Sequence, residues 1–256
     1  RLWLTTDGLG VCRHDGSTAT TYTVQDGLPV DVVHCVAEDV AGWLWFGTGF
    51  MTPGAGLCRY DGQTFEVFAT EDGLAENTVS CLLVDRQGLL WVGTGGYVNG
   101  RGLCRFDGCG FTTFGRDHGF GAALGGHDPW CLLEDRSGRV WVGTVGGGVR
   151  RFSGSEFETW TTAEGLAHDT VFALLEDRAG RIWMGTGGGG ASRYSGERFE
   201  SFSTKDGLLH PRVLSLLEDS AGDVWLGTYG GGLSRYDGSR FTGYTVQNGL
   251  SNNQVL

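Results

Sequence analysis

Short apolar runs alternate with clusters of turn-forming residues along the whole chain. The stretch from Val171 reads VFALLEDRAGRIWMGTGGGGASRYSGERFESFSTKDGLLHPR. Four segments of strand length stand out in it, 171–176, 182–186, 191–194 and 199–203, each bounded by Gly, Asp, Ser or Lys-Asp-Gly. No stretch carries the 3.6-residue apolar period of an amphipathic helix. Strands of about four to six residues with a turn signal every eight to twelve read as all-β.

The same unit returns throughout. Tryptophan stands at Trp3, Trp45, Trp91, Trp141, Trp183 and Trp225, at spacings of 42, 46, 50, 42 and 42, and x-Gly-Thr follows five of the six. A four-stranded antiparallel unit repeated every ~40–45 residues is the signature of a β-propeller blade. The period therefore predicts a single all-β β-propeller domain over residues 1–256, with six four-stranded antiparallel blades around a central channel. Its repeats fall at about 1–32, 33–78, 79–128, 129–170, 171–212 and 213–254, and 255–256 begin the strand that closes blade one. Residues 1–5 match 181–185 and residues 254–256 match 212–214, so the N- and C-terminal strands are expected to share one blade and close the ring without an open edge. A last period of 42 leaves a gap of eight residues at that junction. Opening in mid-repeat at Arg1-Leu2-Trp3 also predicts a trimmed piece of a longer chain, with a fragment of a seven-bladed propeller as the alternative.

With the strands lettered A, innermost, to D, outermost, the recurring tryptophan lies on strand B. A large ring there fills the wedge between twisted neighbouring sheets. The Asp-x-x-Gly between A and B (Asp39, Asp85, Asp135, Asp177 and Asp219) fits a tight hairpin in which Asp caps its own turn and Gly takes positive φ. One carboxylate per turn is too few oxygens for calcium.

The units LLEDRAGRIWMGTGGGGASRYSG and LLEDSAGDVWLGTYGGGLSRYDG resemble the two-component regulator propeller repeat, the module of the ligand-binding sensor domains attached to bacterial hybrid histidine kinases. The resemblance covers essentially the whole chain. It implies a β-propeller that senses an extracytoplasmic ligand, commonly a polysaccharide fragment, and passes the signal on. The family pattern carries seven blades per propeller, where this sequence repeats six times, and it adds a membrane helix and a kinase that these 256 residues do not contain.

Composition narrows the partners. The chain has 47 glycines, more than twice the usual ~7%, but 4 prolines and 40% hydrophobic residues, so it is globular and rich in turns. Its charge is 19 − 30 = −11, and Lys205 is its one lysine. An acidic surface repels nucleic-acid backbones and anionic lipid heads, so neither nucleic acid nor direct membrane contact is expected. No apolar run approaches the ~20 residues of a spanning helix.

The cysteines follow the repeat. Cys35, Cys81 and Cys131 share one strand A phase, and Cys12, Cys58 and Cys104 share one strand C phase, which fits small buried residues; Cys109, in the turn Asp107-Gly108-Cys109-Gly110, is the exposed one. Reduced core thiols fit a reducing compartment, against the periplasmic or extracellular location that the resemblance implies. The glycine run 187–190 has no following helix and no Lys, so it is no nucleotide loop, and no cofactor is expected.

Function is expected where the repeat is broken. Three insertions of four residues enlarge the B to C loops at 49–56 and 95–102 and the D to A connection at 115–128, and in propeller geometry all three emerge on one rim. They carry Phe50, Met51, Tyr97, Asn99, Arg101, His118, Phe120, His127 and Asp128, with Trp130 just beyond. Aromatic faces beside Asn, Arg, Asp and His suit an oligosaccharide or other small polar ligand. His118 and His127 lack a third partner for a metal. His168, His210 and Asn252 recur at one phase of the same rim, and Trp43 sits in an A to B turn on the opposite face, where it is a candidate contact for a protein partner. These features point to a non-enzymatic ligand-binding propeller. A protein-interaction scaffold is the second reading, and a lyase of the streptogramin-lyase type, alike in architecture alone, is the third, with no motif that pairs a histidine as general base.

Overall fold

A computed structural model of the chain describes residues 1–49, 52–95, 102–118, 120 and 128–256. It consists of six small sheets. The first holds β1 (Leu2–Thr5), β2 (Val11–His14) and β3 (Ala19–Tyr22). The second holds β4 (Val33–Glu38), β5 (Leu44–Thr48), β6 (Leu57–Tyr60) and β7 (Phe65–Phe68), and the third β8 (Val79–Val84), β9 (Leu90–Thr94), β10 (Gly102–Phe106) and β11 (Phe111–Phe114). The fourth holds β12 (Asp128–Glu134), β13 (Val140–Val145), β14 (Val149–Phe152) and β15 (Phe157–Trp160). The fifth holds β16 (Val171–Glu176), β17 (Ile182–Thr186), β18 (Ala191–Tyr194) and β19 (Phe199–Phe202), and the sixth β20 (Val213–Glu218), β21 (Val224–Thr228), β22 (Leu233–Tyr236) and β23 (Phe241–Tyr244). Consecutive strands are neighbours in every sheet. The chain divides into two compact units, Arg1–Leu132 and Leu133–Leu256, with the division passing through β12.

The first sheet departs from the expected four strands: it has three. Residues 254 and 255 stand in the phase of the entry to an innermost strand and repeat at the sixth sheet the contacts that Val32 and Val33 make with Asp7 and Thr6 of the first. Gln254 bridges Tyr229, and the Val255 N–H donates to the Thr228 carbonyl at 3.0 Å.

Burial explains why the sequence repeats as it does. In the second to sixth sheets the second strand is buried along all or nearly all of its length, as in β5 and β17, whereas the fourth exposes its middle residues, as in β7 and β15. Tryptophan is placed on the buried strand. Trp45, Trp91, Trp141 and Trp183 are at most 2% exposed, and the rings of Trp45, Trp141 and Trp183 pack on an aromatic residue of the following sheet. Centroid separations are 5.4 Å for Trp45 and Phe106, 5.8 Å for Trp141 and Tyr194, and 5.6 Å for Trp183 and Tyr236.

Two further groups fix each tryptophan. The turn aspartate accepts backbone N–H bonds on Oδ1, as Asp177 does from Ala179 at 3.0 Å and Arg181 at 2.9 Å, while its Oδ2 accepts the indole N–H of Trp183 at 2.9 Å. The same indole bond joins Trp45 to Asp39, Trp91 to Asp85, Trp141 to Asp135 and Trp225 to Asp219. Across the ladder, an arginine of the third strand lies over the ring: Arg193 is 5.1 Å from Trp183 and Arg151 5.3 Å from Trp141. Such cation–π contacts contribute about 0.5–1 kcal/mol each where partly exposed.

The x-Gly-Thr that follows is a packing device. A Cβ on Gly185 would lie 2.9 Å from Val213 Cγ1, and one on Gly227 2.9 Å from Val255 Cγ1, so the next innermost strand approaches closely only because glycine is there. The threonine closes the loop behind it, with Thr186 Oγ1 donating to the Gly190 carbonyl at 2.7 Å and Thr228 Oγ1 to Gly232 at 2.7 Å. After the last strand of each sheet comes a one-turn 3-10 helix that the periodicity does not predict. In four of them a Thr or Ser cap (Thr23, Thr161, Ser203 and Thr245) and an acidic or amide residue three positions on form a capping box, and a glycine in the left-handed region ends the turn.

Burial works against the charge on Asp177, yet hydrogen bonds from Arg181 and Trp183 outweigh it and hold the carboxyl below its ordinary range. A depressed carboxylate stabilises the fold above about pH 4 and loses that contribution as the pH falls through and below its unfolded value. Asp177→Ala is therefore expected to lower stability near pH 7 by about 2–4 kcal/mol in urea unfolding, and to shrink the loss of stability between about pH 5 and 3. A change under about 0.5 kcal/mol would show that the carboxylate does not organise the turn.

Candidate functional site

The anchors of the inserted loops are neighbours within the first unit. Gly54 N–H donates to Thr78 Oγ1 at 3.2 Å, and Gly95 N–H to the Thr78 carbonyl at 2.8 Å, so one residue ties the first two loops. Gly56 N–H adds a bond to Asn77 at 2.8 Å. Thr48 Oγ1 donates to Gly56 at 2.6 Å and Thr94 Oγ1 to Gly102 at 2.8 Å, so both longer loops keep the closing bond of the ordinary repeat. At the end of the second loop Gly102 is packed against the carbonyl of Phe114, next to Gly115, where the third connection begins. On the inner side Ser80 Oγ donates to the Pro129 carbonyl at 2.6 Å, which fixes the start of β12.

Of the ten residues assigned to the rim from sequence, Phe50, Met51, Tyr97, Asn99, Arg101 and His127 lie outside the described residues. The other four are placed. Phe120 is fully buried and its N–H donates to Gly115 at 3.0 Å, as Leu166 donates to Thr161 and Leu208 to Ser203. It therefore stands in the core position that leucine fills in the other repeats, and the insertion proper begins after it. His118 is exposed on the 3-10 turn, edge-on to Phe114 at 5.3 Å, in the phase of the capping-box residue Glu164. Asp128 is buried at the start of β12, and Trp130 is half-buried two residues on.

The recurring residues His168, His210 and Asn252 have a structural task. His168 Nδ1 accepts the Thr170 N–H at 2.9 Å, His210 Nδ1 the Arg212 N–H at 3.1 Å, and Asn252 Oδ1 the Gln254 N–H at 2.8 Å. Each caps the turn into an innermost strand. Just beyond lies a feature that pattern reading misses, a register shift in the innermost strands at His34, Ser80, Phe172 and Leu214. The signal was one extra residue between Val and the small residue of strand A. His34 is solvent-exposed there, yet desolvation by the surrounding protein lowers its pKa, with the Asp7 carboxylate acting in the opposite direction.

The thiols offer no nucleophile in the core. Burial pushes Cys58 and Cys81 up to about 12, and Cys109 is exposed in its turn. Among the described residues there is no group of three or more His, Cys, Asp or Glu that could hold a metal, and no helix long and apolar enough to cross a membrane.

The sequence pattern of the two-component regulator propeller matches residues 27–50, 73–96, 123–146, 165–188 and 207–230. The chain belongs to that family. Each match runs from the glycine that ends a 3-10 turn, or its equivalent, through strand A and the aspartate turn to the end of strand B. A comparison with curated protein sequences finds no match. Among solved structures, the extracellular domain of a protein described as a hybrid two-component system of B. thetaiotaomicron is similar at 23% identity and a TM-score of 0.74, covering 99% of this chain and 34% of that one. PorZ, a surface component of the type-IX secretion system of Porphyromonas gingivalis, is similar at 18% identity and 0.69, covering 95% of this chain and 39% of that one. A catalytically inactive virginiamycin B lyase from Staphylococcus aureus, solved with quinupristin, is similar at 12% and 0.67, covering 98% and 85%. These likenesses establish the fold of this two-component regulator propeller chain as an all-β β-propeller. The chain spans about a third of the length of the first two.

If His168 serves the propeller turn as an acceptor, His168→Asn keeps stability within about 0.5 kcal/mol while His168→Leu costs about 1 kcal/mol in urea unfolding. Equal losses in both variants would refute the capping role.

Proposed function

We propose that this chain is the ligand-binding, non-catalytic part of an extracytoplasmic sensor of the two-component type, and that its ligand is an oligosaccharide or other small polar molecule held on the rim of the three inserted loops. The observation that carries the reading is that loops breaking the repeat are anchored side by side, through Thr78 and through Gly102 against Phe114. A ligand site needs several variable segments to converge on one patch of a rigid scaffold.

The sequence supplies suitable chemistry to that patch. Phe50, Tyr97 and Trp130 offer ring faces, and Asn99, Arg101, His127 and Asp128 offer hydrogen-bonding groups. His118 borders it on the preceding turn. Family membership supports the sensor role and a location outside the cytoplasm. The likeness to a lyase is one of fold, at 12% identity. Signal output would pass to segments or partners beyond these repeats.

Screening the protein against a panel of oligosaccharides by thermal shift is expected to find a stabilising glycan. Tyr97→Ala should reduce that stabilisation at least tenfold in apparent affinity, about 1.4 kcal/mol, with the unliganded melting temperature unchanged. Absence of any glycan effect would reject the carbohydrate reading, and turnover of a bound ligand that His118→Ala abolishes would make the protein an enzyme.

A further inference from the structure

The aspartate turn of the second sheet differs in chemistry from its counterparts. In the fourth and fifth sheets the residue two before the tryptophan is an arginine that folds back on the turn: Arg139 Nε donates to Asp135 Oδ2 at 2.7 Å and Arg181 Nε to Asp177 Oδ2 at 2.7 Å. Trp43 stands at that position in the second sheet. Asp39 Oδ2 there accepts the Trp45 indole N–H at 2.8 Å, and among the described residues no guanidinium joins it. In place of the internal arginine there is an open notch of about 210 Å³, bounded by Trp43, Trp45 and Phe106 with Asp39, Asp107 and Arg59.

The charges and faces of the notch are specific. Arg59 lies 4.0 Å from the Trp43 ring and is ion-paired with Glu66, so its charge is already balanced. Asp107 accepts the N–H groups of Cys109 and Gly110 at 2.9 and 3.0 Å on Oδ1, and these bonds keep it ionised. Two carboxylates beside indole and phenyl faces attract a cation, and a planar cation most of all, because it can hydrogen-bond in its plane and stack on its face. The molecule itself demonstrates which cation this turn receives, since its own arginines bind the same carboxylate oxygen in two sister sheets.

We propose that the notch is a binding site for a guanidinium group, supplied by a ligand where the fourth and fifth sheets supply their own. It is independent of the inserted-loop rim and does not rest on the sensor reading. The guanidinium belongs either to a free arginine-like molecule or to an arginine side chain of a partner polypeptide.

The test is a titration followed through the indole N–H signals in ¹⁵N-labelled protein, using Nα-acetyl-arginine amide, free arginine and Nα-acetyl-citrulline amide. The acetylated arginine should shift the Trp43 signal along a saturable curve, and its uncharged citrulline analogue should bind at least tenfold more weakly. Trp43→Arg should abolish the response of the Trp45 signal, because the introduced arginine takes Asp39 as Arg181 takes Asp177, and it should fold at least as stably as the parent. Asp107→Asn should weaken binding several-fold. Free arginine binding as well as the blocked form assigns the site to a small molecule, and weaker binding, from its α-carboxylate near Asp39 and Asp107, assigns it to a polypeptide arginine. Equal binding of citrulline, unchanged binding in Trp43→Arg, or no shift with any guanidinium compound would overturn the proposal.

Discussion

Every sheet from the second to the sixth depends on one carboxylate. The aspartate after the innermost strand draws two backbone N–H groups into a turn and at the same time accepts the indole N–H of the strand that follows. A tight turn and a large buried ring are thereby one structure. Fixing the indole by its nitrogen sets the plane of the ring. That plane determines where the third-strand arginine can stack and which aromatic of the next sheet it meets. Removing the carboxylate strands several donors in a buried place, and at Asp135 and Asp177 those donors outweigh desolvation and hold the carboxyl below its ordinary range.

The close approach of neighbouring sheets follows from that anchored ring. With the tryptophan held on one side of strand B, the next innermost strand can lie against the glycine two residues on, where any Cβ would collide with it. The threonine after it ties off the loop at its base, whatever the loop's length. Thr186 reaches Gly190 four residues away and Thr48 reaches Gly56 eight away with the same bond. Loops can grow at that edge without disturbing the sheets beneath. That separation between a fixed base and a variable tip is what lets a repeat scaffold acquire a binding rim.

The fold was legible because each of these contacts needs a particular residue at a fixed phase. Tryptophan, aspartate and the Gly-Thr pair recur since nothing else makes the indole bond, the close approach and the loop closure together. The arginine of strand C recurs just as regularly, yet its stacking is invisible in a sequence, where a charged residue on an outer strand reads as solvated. The first sheet shows three strands; residues 254 and 255, which the sequence phase assigns to the entry of an innermost strand, make the contacts that open such a strand elsewhere, as Val32 and Val33 do with Asp7 and Thr6. On the rim, Phe120 read as part of a glycine-rich insertion; the backbone bond from its N–H to Gly115 reveals that it occupies the repeat's leucine position, which the substitution of phenylalanine had concealed.

The two candidate sites differ in what the repeat can say about them. An inserted loop has no sister copy, so its residues can be assigned chemistry only from their type. The notch at Trp43 has sister copies, and in two of them the chain fills the position with its own arginine on its own aspartate. In the sixth sheet the position holds Asp223, which turns the pairing around by taking Arg235 of the third strand. In the third it is Leu89, with Asp85 left to its indole bond. The position thus varies while the aspartate and tryptophan beneath it stay fixed, so a change there leaves the fold intact and alters only what the turn presents. Trp43 is the variant that sets an indole ring beside that carboxylate where two sister turns set an arginine.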